Sequence, residues 1–143
     1  MEKKRTGLAY ITRKLHFNAA HKLYNPNWSE EKNEAVFGKC ANKNWHGHNF
    51  ELFVTVKGVP NPDTGFIIDL KKLKDIIEKQ VVDQVDHSNL NVDVPFMQGV
   101  LPSIENMVFR FWDQIEPHLP EEVSLHCIKL YETHNQLVEY YGD

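Results

Sequence analysis

The sequence predicts an α+β fold: one antiparallel sheet with two helices on one face. Three observations carry this. Residues 48–58 alternate strictly, with Phe50, Leu52, Val54 and Val56 on one side and Glu51, Thr55 and Lys57 on the other, which is the two-residue period of a half-buried strand. Two later segments, starting at Asp69 and Ser103, repeat their apolar residues at helical spacing. Strand-like runs come in pairs, one pair before the helices and one after, giving the order β-β-α-α-β-β.

The first strand spans 8–18, where Leu15 and Phe17 point one way and His16 and Asn18 the other. Residues 22–45 are polar and rich in Asn and Lys. They form a long connection, with a short helix in "SEEKNEAVF" that Ser29 can cap. Connections of this length inside a compact domain are often functional. After the second strand, "PNPDTG" supplies turn chemistry. Asp69 caps a helix running to about residue 85, with Leu70, Leu73, Ile76, Ile77 and Val81 as its apolar stripe. The second helix starts near Ser103, buries Met107, Val108, Phe111, Trp112 and Ile115, and ends at Pro117. "VSLHCIKLYET" and "QLVEYY" are the last two strands, joined by a turn at His134 and Asn135.

The chain of 143 residues fits a single domain, 1–143. A net charge of -4 argues against a nucleic-acid surface. No apolar run reaches the roughly 20 residues of a membrane helix, and the basic start "MEKKRTGLAYITRK" lacks the apolar core of a signal peptide. A cytoplasmic protein with free thiols is expected. Four strands leave two open edges, which association between subunits would cover, so an oligomer is expected.

The chemistry concentrates in "FGKCANKNWHGHNF". His46 and His48 stand two apart at the start of a strand, so their imidazoles share a face. Gly47 between them leaves the opposite face uncrowded. A third imidazole would complete the three-ligand set of a catalytic zinc site, with a fourth position open. His21, at the end of the neighbouring strand, is the candidate, and His16 competes with it. A surface histidine pair, or a closed Cys2His2 site using Cys40, are the other readings. The cationic, polar setting of Cys40, beside Lys39 and Lys43, should lower its pKa and favour the thiolate. Cys127, in an apolar run, reads as a buried small hydrophobe. Asp86 and His87 place a carboxylate beside an imidazole, either a proton relay or a helix-terminal histidine. Glu105 lies in the first turn of the second helix, where an acid complements the dipole. Glu132 follows Ile128 and Leu130 on an apolar face, a costly place for an unpaired carboxylate.

Six stretches in order, "FNAAHKLY", "FGKCANKNWHGHNF", "TGFIIDLKKLK", "DHSNLN", "PSIEN" and "YETHN", resemble the 6-pyruvoyltetrahydropterin synthase family from about His16 to Tyr141. The resemblance implies the tunnelling fold, whose subunits join their sheets into a barrel, as a homohexamer of two trimers. It implies 7,8-dihydroneopterin triphosphate as substrate and a zinc ion held by His21, His46 and His48. In the same way it implies Cys40 as proton acceptor, Asp86 and His87 as a dyad acting from a neighbouring subunit, Glu105 as pterin anchor and Glu132 in the proton relay.

The family divides by product. The spacing of six from Cys40 to His46 and the lead-in "FGKC" resemble the branch making 6-pyruvoyltetrahydropterin. "PSIEN" is closer to bacterial members, some of which make 6-carboxytetrahydropterin for queuosine and related deazapurines. A cysteine at position 40 speaks against an aldolase-like variant, which often has an acid there. A non-catalytic pterin-binding oligomer and a structural zinc module are the remaining alternatives.

Overall fold

The computed structural model describes residues 4–42 and 46–143. Lys43, Asn44 and Trp45, which end the long connection, lie outside the described residues, as do Met1, Glu2 and Lys3.

Strand β1 (Ala9–His21) pairs antiparallel with β2 (His46–Gly58) along its whole length. Strand β2 in turn pairs with the strand Ser124–Thr133, which forms a hairpin with Gln136–Tyr140. The expected four strands are joined by a fifth: Ser88–Asn89 runs parallel to β1 at Ala19 and Ala20. In chain order it is β3, and the hairpin strands are β4 and β5. The sheet order is β3-β1-β2-β4-β5. A two-residue strand has no alternation to read, which is why the pattern misses it.

The inward face follows from parity. Leu15, Phe17 and Ala19 of β1 are buried, as are Phe50, Leu52, Val54 and Val56 of β2. On β4, Leu125 and Leu130 are both buried although their parity differs. A bulge opposite Thr55 and Val56 adds the extra residue that reconciles them. The other face of the sheet is polar at many positions, where Thr12 meets Thr55 and Lys14 pairs with Glu51.

The short helix α1 (Glu30–Phe37) starts where expected, with Ser29 accepting from the Lys32 N–H. It buries only Asn33, whose side chain accepts from the Asn25 N–H and donates to the carbonyls of Asn25 and Ser29. One amide thereby organises the whole turn before α1. Asp69 caps α2 (Leu70–Ile77), which passes through a π-helical turn (Glu78–Val82) into α3 (Asp83–Val85). The wider turn lets the neighbours Val81 and Val82 both face inward. Leu70, expected in the stripe, is the first helical residue and is 42% exposed. Ser103 caps α4 (Ile104–Ile115), accepting from the Asn106 N–H. The α2–α3 segment and α4 share one core with the inner faces of β1, β2 and β4. Cys127 is buried as expected.

Candidate active site

Strand register builds the centre. Residues directly opposite in an antiparallel pair share a face, and the pairs are Phe17 with Phe50, Ala19 with His48, and His21 with His46. The core face of β1 and β2 therefore changes at its end from phenyl rings to three imidazoles. Ring centroids stand 4.5 Å apart for His21–His46, 4.9 Å for His46–His48 and 5.3 Å for His21–His48. Phe50 floors the group, edge to face with His21 and His48. His16 has the opposite parity and lies exposed, which removes it as a competitor. A Cβ at Gly47 would meet only the Ala19 carbonyl oxygen, at 3.5 Å. That is ordinary contact, so the face opposite the histidines is uncrowded, and a small side chain would fit there too.

Among the described residues, one ligating atom each from His21, His46, His48 and Glu132 fall within 4.8 Å of one another. His21 is 1% exposed, and its Nδ1 lies 2.8 Å from the Pro102 carbonyl oxygen. A carbonyl can only accept, so Nδ1 carries the hydrogen, and in the neutral ring Nε2 presents a lone pair. His21 Nε2, His46 Nδ1 and His48 Nε2 are all buried without a hydrogen-bond partner among the described residues. Buried polar atoms left this way call for an explanation, and three convergent imidazole nitrogens fit a metal ion. Protonation is also disfavoured. Burial, with the nearby His21 and His48, holds His46 below the ordinary histidine range. Burial, with His21, does the same for His48 against the pull of Glu132. Neutral imidazoles are the form that ligates.

Glu132 comes in from β4. Its Oε1 lies 3.0 Å from His48 Nε2 and 3.2 Å from His21 Nε2, outside hydrogen-bond geometry with either. Contact with His21 and the other imidazoles holds this carboxyl below its usual range, against its burial. A cleft of about 440 Å³ opens over His48 and Glu132, lined also by Tyr131, Thr133 and His134. Cys40 is not among the converging donors. It follows α1 in a short 3₁₀ turn, and its carbonyl accepts from the Leu23 N–H, tying the turn to the chain just past His21. The expected low thiol pKa is not found: burial, and then the Glu132 carboxylate, push the Cys40 thiol up. The local sequence is cationic, but the fold adds an anion from a distant strand. A larger cavity of about 650 Å³ lies beside this turn, lined by Lys39 and Ala41 on either side of Cys40 and by Lys22.

Asp86 and His87 form the expected pair, Oδ2 to Nδ1 at 3.1 Å. The Asn18 N–H donates to Asp86 Oδ1 and, with His87, holds its carboxyl below the usual range. His87 adopts left-handed backbone, φ 59°, uncommon outside glycine, and its side chain is 81% exposed. The pair sits at the β1 edge and takes no part in the histidine group. Glu105 is exposed on the first turn of α4. Its link to the centre is indirect, since the loop that leads into α4 supplies the Pro102 carbonyl to His21. Sequence reading missed that carbonyl and Asn33; a backbone acceptor leaves no residue-type signal.

A sheet of this topology with three converging histidines at the end of its core face defines an α+β protein with a group of side chains that could hold a metal ion. Comparison with known proteins narrows this. The model of the family "6-pyruvoyl tetrahydropterin synthase" matches residues 10–143. A 6-pyruvoyl tetrahydrobiopterin synthase of Pongo abelii is 42% identical over 135 residues, 94% of this chain and 92% of that one. A 6-carboxy-5,6,7,8-tetrahydropterin synthase of Rickettsia conorii is 25% identical over 146 residues, 90% and 96% of the two chains. The solved structure of Caenorhabditis elegans 6-pyruvoyl tetrahydropterin synthase superposes with a TM-score of 0.88 at 32% identity, covering 99% of this chain and 100% of that one. The chain belongs to the 6-pyruvoyl tetrahydropterin synthase family.

Proposed function

We propose that this protein is a zinc-dependent lyase that converts 7,8-dihydroneopterin triphosphate to 6-pyruvoyltetrahydropterin with release of triphosphate. The observation that carries the reading is the convergence of three buried imidazole nitrogens that have no hydrogen-bond partner among the described residues. His21, His46 and His48 would hold the ion. Zinc bound there supplies Lewis acidity toward the side-chain oxygens of the substrate, without redox chemistry of its own. The pyruvoyl branch is favoured over the carboxy branch by 42% against 25% identity to the respective relatives.

The remaining roles follow from what each side chain can do. Glu105, exposed and free to accept two hydrogen bonds, suits the amino-pyrimidinone edge of a pterin. Anchoring the ring there sets the reach of the substrate side chain toward the histidines. Cys40 is a proton acceptor only as thiolate. Its raised pKa means that it rests protonated and passes its proton on before it can act. Glu132, ionised and close to both the histidines and the thiol, is placed to serve in that relay. Asp86 holds the His87 Nδ1–H, which leaves Nε2 to exchange a proton.

The exposure of His87 and its place at the sheet edge support a site completed between subunits. The reading extends to a homohexamer, in which sheet edges join into a barrel. No helix of the described residues is long and apolar enough to cross a membrane. The free thiols of Cys40 and Cys127 suit a reducing compartment such as the cytoplasm.

Phosphorus NMR of 7,8-dihydroneopterin triphosphate with zinc-loaded protein tests the reading. Free triphosphate is expected with zinc and not after chelation, and Cys40→Ala should abolish its release. Equal release with and without metal, or none at all, would overturn it.

A further inference from the structure

We propose that Asn91 is a positioning residue of the reaction: its side-chain amide fixes the backbone just past His21, to which the Cys40 turn is tied, and so sets where the thiol stands. The inference rests on the role given to Cys40 above and adds the residue that holds it in place.

Strand β1 ends at His21. Up to that point β2 holds its backbone on one side. On the other side β3 holds it, helped by Leu90, whose N–H donates to the Ala20 carbonyl. At Lys22 a side chain takes over. The Lys22 N–H donates to Asn91 Oδ1, and Asn91 Nδ2 donates to the Lys22 carbonyl, both at 2.9 Å. One amide thus reproduces the paired bonds that two strand residues exchange. The loop is shaped to present it. The Asn91 N–H donates to Asn89 Oδ1, the Asn89 N–H donates to Asp93 Oδ2, and the Asp93 N–H donates to the Asn89 carbonyl. The Lys22 carbonyl and the Leu23 N–H belong to one planar peptide group, so holding the first aims the second. The Leu23 N–H donates to the Cys40 carbonyl at 2.8 Å. Asn91 therefore reaches the backbone of Cys40 through a single peptide, and the bond accepted at one end of that peptide strengthens the bond given at the other. His21 has supports of its own, in its pairing with His46 and its bond to Pro102. The thiol is thus the group that depends on Asn91.

The test compares the wild type, Asn91→Ala and Asn91→Asp in the full, zinc-loaded chain. Misplacing a reacting group by about 1 Å can cost roughly a hundredfold in rate. The kcat for triphosphate release from 7,8-dihydroneopterin triphosphate should fall at least about tenfold in both variants, with KM unchanged because Glu105 is untouched. Asn91→Asp keeps the shape and the acceptor for the Lys22 N–H, but as a carboxylate it cannot donate to the Lys22 carbonyl. It therefore tests that bond without opening a cavity. Zinc Kd from chelator competition should stay at the wild-type value in both. A loss of zinc affinity in step with kcat would overturn the proposal, because the histidine centre would then have moved with the thiol. A second readout needs no turnover. Alkylation of Cys40 by iodoacetamide in metal-free protein, separated from Cys127 by peptide mass mapping, should be several-fold faster in both variants as the turn comes loose. Alkylation rates equal to the wild type would overturn the role of Asn91, whatever kcat does, while leaving that of Cys40 intact. A wild type that releases no triphosphate would overturn the reading of Cys40, and the alkylation rates would still decide whether Asn91 holds its turn.

Discussion

One ring at the end of β1 does two jobs. His21 gives its Nδ1 hydrogen to Pro102 and keeps Nε2 for the centre, so its partner fixes the tautomer a ligand needs. His46 and His48 bind protons less readily than free imidazole, whose value is 6.5. The sign follows. As pH falls through 6.5 the unfolded chain takes up these protons before the folded one, so the metal-free fold loses stability below that point. By the same logic protons displace the metal late. Zinc release, followed by chelator competition, should be centred below pH 6.5, and release centred above it would contradict the assignment. Cys40 carries the opposite lesson. Its neighbours in sequence are lysines, yet burial and Glu132 raise its pKa. Glu132→Gln should remove the second of these causes. The alkylation profile of Cys40 in metal-free protein should then move to lower pH while staying above that of an ordinary thiol. An unmoved profile would show that the carboxylate does not act on the thiol. His21 and His16 both stay open in the sequence because its pattern carries the first strand only to residue 18; the extension of β1 to His21 decides by parity, while the thiol depends on an anion from far along the chain.

Elements with a repeating pattern were legible, and those without were not. The alternation of β1 and β2 and the stripe of α4 each put many side chains on one face, and tertiary packing kept them there. The π turn after α2 leaves the apolar spacing nearly helical, and β3 is too short for a period. The bulge in β4 shows only as two buried leucines of opposite parity. In the turn between β1 and α1 the buried Asn33 amide makes the most side-chain bonds, beside those of Asn25 and Ser29. Asn33→Ala would leave the Asn25 N–H and two carbonyls without their partner. It should cost roughly 1–3 kcal/mol, read from the urea midpoint, while the histidine centre, which Asn33 does not touch, keeps its zinc affinity. An unchanged midpoint would mean that water replaces the amide without loss.

For the whole molecule, the sheet is one-sided. Helices cover its inner face, and its edges, β3 and β5, stay open. His87 lies beside Asn18 of β1 with its side chain exposed, and it is not one of the converging groups at the histidine centre. Native mass spectrometry should show a hexamer, and a stable monomer at working concentration would contradict a site shared between subunits. His87→Ala should then leave zinc content unchanged and suppress turnover; full activity would place His87 outside the machinery. The histidines of the candidate centre, four of the five strands and the two long helical segments could be read in the sequence, since they rest on local pattern. The place of Glu132 at the centre came from the fold, where β4 lies beside β2. The central claim, metal-assisted conversion of dihydroneopterin triphosphate, is tested most directly by mass spectrometry of the product made by zinc-loaded protein without added reductant. The account requires 6-pyruvoyltetrahydropterin. A 6-carboxy product with acetaldehyde, or unchanged substrate, would contradict it.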